Sequence, residues 1–335
     1  MENGFKQTLG SYRFWIFGAA LAYFLYSVYF AIYGLSFSVG LIYDEYVYNL
    51  VSQDPWWWAV LYYGSEGVFG FVSGLFRAIA GFFAVYAGFL FWRKKDLSLD
   101  SIRSKVTKAL FFEASYFISL SLTVIASFSY FLSGDQFYYF DGTPGLIYVM
   151  VAGVPLLAMI IFVAPTLLNL RKKILQKAVK EEIIKWTCLT GVAYLFIVFW
   201  FNYSMSWVGV LVPYARVHQQ FGLSFLLSPT NLVTFLLTVV GLLFLAFCGL
   251  RVTLPAIHKK PIQVNLKHVG LLAVALGSYF WINTLLYYVT GGYEANPSVW
   301  YEVIGPRHNP YFWCLSLFFL GLAVILQFNK PRKPN

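Results

Sequence analysis

The sequence predicts an all-α, polytopic integral membrane bundle of about eight transmembrane helices, with both termini cytoplasmic. Three observations predict it. The composition is too apolar for a soluble chain, eight apolar stretches reach membrane-spanning length, and charge is partitioned between alternate connections. Of 335 residues, 59% are hydrophobic and 11% charged, with mean hydropathy +0.67. Globular chains carry about 25% charged residues. That balance excludes a soluble enzyme, a disordered chain and a disulfide scaffold. Aromatic residues reach 21%, more than two interfacial belts use, so rings must also pack between helices or line an outer surface.

A helix needs roughly 20 apolar residues to cross the hydrocarbon core. Spans are expected at about 14–37, 69–92, 109–132, 146–169, 187–207, 231–250, 269–290 and 311–328, within one transmembrane domain over 1–335. The first run is too long for a signal-peptide core, so it is expected to stay as an anchor. Ser115-Tyr116-Phe117 in the third span and Ser278-Tyr279-Phe280 in the seventh hint at a four-plus-four repeat.

Charge orients these spans. All 15 lysines lie in the N-terminus, the even-numbered connections and the tail. The connections 38–68, 133–145, 208–230 and 291–310 contain no lysine but hold eight acids, among them Asp44, Glu45 and Glu66. By the positive-inside rule the lysine-rich side is cytoplasmic. That side carries 21 basic and five acidic residues, a surplus of +16, which the three arginines and eight acids of the outer side and Glu113 bring down to the net +10 of the chain. The positive charge therefore marks topology and attraction to anionic lipid of the inner leaflet, not nucleic acid. The stretch RKKILQKAVKEEIIKW, 171–186, is expected as one amphipathic basic helix, lying on the inner interface or extending a span.

The second span is the most informative. Gly70, Gly74, Arg77, Gly81, Ala84 and Gly88 recur at spacings of four and three, which is one helix face. Five of the six are small, and small stripes let backbones approach closely in lipid. This helix should be central, with Arg77 facing protein. Arg77 lies 16 residues from Arg93, about 24 Å along the axis, in the outer third of the bilayer. An arginine there is costly and is usually paired or functional. Its carboxylate candidates are Glu66, Asp44 and Glu45; reaching Glu66, 11 residues away, requires the glycine-rich 64–70 segment to bend. The two readings are a structural arginine and a ligand-binding one.

Other intramembrane features are less specific. Glu113 sits shallow in the third span, near Lys108 and Lys185, with no further acids in series for a proton relay. Pro155 is expected to kink the fourth span near mid-membrane, and Pro165 follows. Asn202 and Asn283 read as glue between helices. Cys188, Cys248 and Cys314 have no metal-ligand spacing and read as small core residues. No metal or cofactor is expected.

The outer loops are aromatic and contain arginine: YDEYVYN at 43–49, DPWWW at 54–58, VPYARVHQQFG at 212–222 and WYEVIGPRHNPYFW at 300–313. They pair Arg216 with His218, and Arg307 with His308. Guanidinium suits bidentate binding of carboxylate or phosphate. These arginines either neutralise the outer acids or, with Arg77 and Glu66, receive an anionic or lipid-linked ligand.

Residues 1–95 resemble membrane glycosyltransferases that use polyprenyl-phosphate sugars. The acidic pair Asp44-Glu45 falls just after the first span, as in that superfamily. LFRAIAGFFAVYAGFLFWRK, 75–94, resembles its next span, opened by an arginine and closed by basic residues. The resemblance implies Asp44 or Glu45 as the catalytic carboxylate and an outer arginine on the lipid phosphate. Three functions are therefore expected in competition. The leading one is a binding or permease-type component of the plasma membrane, with an outward pocket of carboxylates, arginines and aromatics. The second is a lipid-linked-sugar glycosyltransferase acting at the outer face. The third is a scaffold subunit whose aromatic loops, including the tryptophans at 56–58, bind another membrane protein.

Overall fold

The computed structural model describes residues 11–29, 31–32, 56–93, 99–132, 154–203, 229–258, 260, 265–289 and 311–328. Among them every element is helical. The helices are α1 (12–29), α2 (Trp56–Arg93), α3 (Leu99–Leu132), α4 (Val154–Leu175), α5 (Lys180–Tyr203), α6 (Pro229–Cys248), α7 (Leu266–Val289) and α8 (Tyr311–Phe328). After α6 the chain passes through a π-helical turn, Gly249–Thr253, and one α turn, Leu254–Ile257. Each of the eight apolar stretches overlaps one of these helices in its described part. Among the described residues, two stretches are long and apolar enough to cross a membrane, Phe71–Arg93 and Val239–Ala256; Lys267–Ser278 and Leu315–Gln327 are apolar but shorter.

The chain divides into two compact units. The first comprises Met1–Tyr33, Gly74–Phe112 and Gln263–Asn335. Here α1 and α2 run antiparallel, because each step of seven residues up one is matched by seven down the other. A Cβ at Gly74 would meet the Ala31 Cα at 2.8 Å, one at Gly81 the Phe24 Cα at 3.0 Å, and one at Gly88 the Phe17 Cα at 3.3 Å. A seven-residue repeat is the signature of two helices wound about each other with a small crossing angle. The glycines let the backbones meet where a side chain would hold them apart. The small-residue stripe of the second span is thus the seam with α1.

The opposite side of α1 meets α8. Ser316 donates its hydroxyl to the Ala19 carbonyl at 2.8 Å, and Trp15 packs on Phe319 at 5.2 Å between centroids. In turn α8 crosses α7 backbone to backbone, since a Cβ at Gly321 would lie 2.7 Å from both the Gly270 carbonyl oxygen and the Val274 nitrogen. On the other flank of α2, Phe83 stacks on Phe112 at 5.8 Å, and Lys105 and Lys108 of α3 lie over the rings of Tyr86 and Phe83. Rings near Trp92 close the lysine-rich end, where Phe17 stacks on it at 5.1 Å and Phe14 meets it edge-on. The aromatic excess is therefore spent partly between helices.

The second unit comprises Gly34–Ser73 and Glu113–Ile262. In it α4 packs along α5, and α5 packs on α6 and the π turn. The expected basic helix over 171–186 is not continuous. It breaks at 176–179, where α4 ends and α5 begins. Lys177 has φ 51°, its N–H bonds the Ile174 carbonyl at 3.2 Å, and the Ala178 N–H bonds the Lys173 carbonyl at 3.0 Å. This pair of bonds is the Schellman stop, with a left-handed residue one place past the helix. Glycine or asparagine usually takes that place; here a lysine does. The signal that was legible is the order of charges. Lys172 and Lys173 close α4, and Glu181 and Glu182 open α5, each suiting the dipole at its helix end. Lys173 and Glu182 then pair across the turn at 3.1 Å.

Pro155 is the second residue of α4 as described, and the residues before Val154, on which the kink expected there depends, lie outside the described residues. The interior proline is Pro165.

Burial is inverted relative to a water-soluble core. Among the described residues, ten of the eighteen buried apolar residues are alanines, and Ser27, Ser73 and Thr166 are almost wholly enclosed. Large apolar side chains point outward instead, among them Phe82, Ile118, Val240, Leu243, Phe247 and Leu250.

Candidate functional site

Two buried charges stand out, one in each unit. Arg77 is 6% exposed on the α1 face of α2. Helical spacing sets it between Gly74 and Gly81, where the backbones are closest, so its side chain must lie along α1. The guanidinium carbon sits over the Tyr26 ring at 4.8 Å and over the Tyr23 ring at 5.9 Å. Tyr23 and Tyr26, three apart, share one helix face. Next to them the Ser27 hydroxyl donates to the Tyr23 carbonyl at 2.7 Å, which keeps a fully enclosed polar group satisfied. A desolvated cation over aromatic faces gains about 2 kcal/mol. A guanidinium can rest on a ring through its face and direct its in-plane donors at carboxylate or phosphate.

Glu113 is the second. It is 6% exposed and accepts a hydrogen bond from the Tyr194 hydroxyl at 2.6 Å. Phe117 meets the Tyr194 ring edge-on at 5.1 Å, and Tyr116 meets Phe117 at 4.8 Å. A charge-assisted O–H···O bond of that length is strong. It ties α3 to α5 through a carboxylate, with aromatic rings excluding water around it.

Arg77 is buried in protein, as its place on the small-residue face implied. α2 is helical through 64–70, which leaves Glu66 about 16 Å along the axis from Arg77. Of Glu66 the backbone alone is described. Asp44, Glu45, Arg216, His218, Arg307 and His308 lie outside the described residues, as do the loops that carry them. The sequence reading missed Tyr23 and Tyr26 as neighbours of Arg77, and Tyr194 as the partner of Glu113. The tyrosine pair had a usable signal: its spacing of three puts both rings on one side of α1, next to Ser27. Tyr194 had none, because pairing between distant helices leaves no mark in a single sequence.

Among the described residues no three His, Cys, Asp or Glu side chains gather as a metal site. Cys188 and Cys248 are free thiols. In comparison with known proteins, no family model matches the chain, and no curated protein or solved structure matches it.

Proposed function

We propose that this chain is a polytopic protein of the plasma membrane, its eight helices crossing the bilayer with both termini cytoplasmic. We further propose that it works as a binding or permease-type component that takes an anionic group on its outer side. The inverted burial supports the membrane reading. A surface of exposed Phe, Leu, Ile and Val is rare on a soluble monomer, whereas alanine, glycine and serine between helices are what packing in lipid uses. The apolar stretch Val239–Ala256, of which 17% is buried, has its apolar surface turned outward and suits lipid contact.

The anion reading rests on one observation: a buried arginine held against two tyrosine rings at the closest approach of α1 and α2. An intramembrane arginine in the outer third of the bilayer is a favourable place for carboxylate or phosphate, because low dielectric strengthens the pairing. The neighbouring tyrosines add apolar surface for the body of a ligand and hydroxyls for its polar part.

The test is native mass spectrometry of the gently purified full chain, comparing wild type with Arg77→Lys. Lysine retains the charge but not the bidentate fork. A small anionic molecule bound to wild type and depleted in the folded variant is expected. A polyprenyl phosphate in that role would direct the reading toward the glycosyltransferase alternative, to be checked by Asp44→Asn and Glu45→Gln. An identical complement of small molecules on both folded proteins would overturn the anion reading, and a stoichiometric protein partner retained by both would replace it with the scaffold.

A further inference from the structure

The turn between α4 and α5 sets exposed apolar side chains among exposed lysines. It is narrow, since only four residues separate Leu175 from Lys180, and the Schellman bonds fix its shape. Two large apolar side chains stand on either side of the turn, Leu175 at 49% and Val179 at 65% exposed. Around them Lys172, Lys177 and Lys180 are exposed. Across 171–186 six basic residues outnumber two acids, and one of those acids, Glu182, is engaged by Lys173.

We propose that this tip docks on anionic phospholipid of the leaflet it faces, with Leu175 and Val179 seated at the edge of the acyl chains and Lys172, Lys177 and Lys180 on the phosphates. The proposal rests on the membrane reading above. Charge complementarity selects the occupant: a ring of cations around an apolar pair matches a surface that is anionic at the headgroups and apolar just beneath. A neutral lipid satisfies the apolar pair alone, and an acidic soluble peptide satisfies the lysines alone. The fold supplies what a continuous helix over 171–186 would not. In a helix, residues 175 and 179 form one stripe along a side; at the turn they stand at the end of a two-helix projection, stiffened by the Lys173–Glu182 pair.

The full chain, with its three cysteines replaced by alanine and Gln176→Cys carrying an environment-sensitive fluorophore, is titrated in detergent with short-chain phosphatidylglycerol. Phosphatidylcholine and polyglutamate are titrated alongside. A saturable, salt-sensitive response to phosphatidylglycerol alone is expected. The variant Lys172→Gln/Lys177→Asn/Lys180→Gln should weaken it about a hundredfold, from three lysines each contributing about fivefold. Asparagine is chosen at 177 because it accepts the left-handed backbone. Leu175→Ser/Val179→Ser should weaken it with the salt dependence retained. No response to phosphatidylglycerol, or an undiminished response in the lysine variant, would overturn the proposal. An equal response to polyglutamate would replace it with a protein-docking site. Retention of the chain in vesicles after an alkaline wash is measured in parallel. If retention fails, the membrane reading falls; if it holds while the titration fails, the tip proposal falls alone.

Discussion

Replacing Gly321 by alanine tests the packing logic of the first unit most directly. The added Cβ would lie 2.7 Å from the Gly270 carbonyl oxygen and from the Val274 nitrogen, and 2.8 Å from the Val274 Cγ2. Two of these three atoms are backbone, so no side-chain rotation relieves the clash. Ordinary contact begins near 3.4 Å, so α7 and α8 must part by about 0.7 Å, and a gap of that size forfeits a quarter to a half of the dispersion energy of the atoms lining it. Overpacking of this kind costs about 1–3 kcal/mol. The gain in helix propensity from glycine to alanine offsets up to about 1 kcal/mol. A net loss of about 1 kcal/mol is therefore expected. Gly191→Ala is the control, because nothing lies within 4 Å of its added Cβ; it keeps the propensity gain without the clash. The assay is thermal or dodecyl-sulfate unfolding of the purified chain, followed by helical circular dichroism. Gly321→Ala should unfold below wild type and Gly191→Ala at or above it. If Gly321→Ala proves as stable as Gly191→Ala, the backbone contact between α7 and α8 is wrong.

The Glu113–Tyr194 bond predicts coupled losses. Tyr194→Phe should cost about 1.5–3 kcal/mol, as expected for a hydrogen bond to a charged group, and Glu113→Gln a similar amount, while the double variant costs less than their sum in the same unfolding assay. Strict additivity would mean that the two side chains do not interact. Orientation is tested by accessibility: Phe140→Cys and Asn296→Cys, introduced singly into a cysteine-free chain, should react with impermeant thiol reagents in intact cells. Protection of both until the cells are lysed would reverse the assigned sides.

The sequence alone determined the all-helical class, and the described helices overlap its apolar stretches, because runs of apolar residues bounded by charge clusters carry that information locally. It also identified the face of α2 that meets another helix, since small residues at spacings of four and three can only serve close packing. It did not identify which helix fills that seam. The antiparallel match of Phe17, Phe24 and Ala31 with Gly88, Gly81 and Gly74 is a pairing between distant segments, and only the tertiary structure decided it. The same holds for Arg77. Its residence in protein followed from its stripe, but its tyrosine neighbours followed from the register of α1 on α2. The turn at 176–179 is the opposite case, a local feature that local reasoning missed. Its left-handed position holds a lysine, so the residue type that normally announces a helix stop is absent. The apolar periodicity of 171–186 reads on through the break because Leu175 and Val179, on either side of it, stay in step with their neighbours in sequence although both are exposed at the turn. What decided the turn was the gain from packing α4 along α5, a long-range term that outweighs the strain of one residue at positive φ.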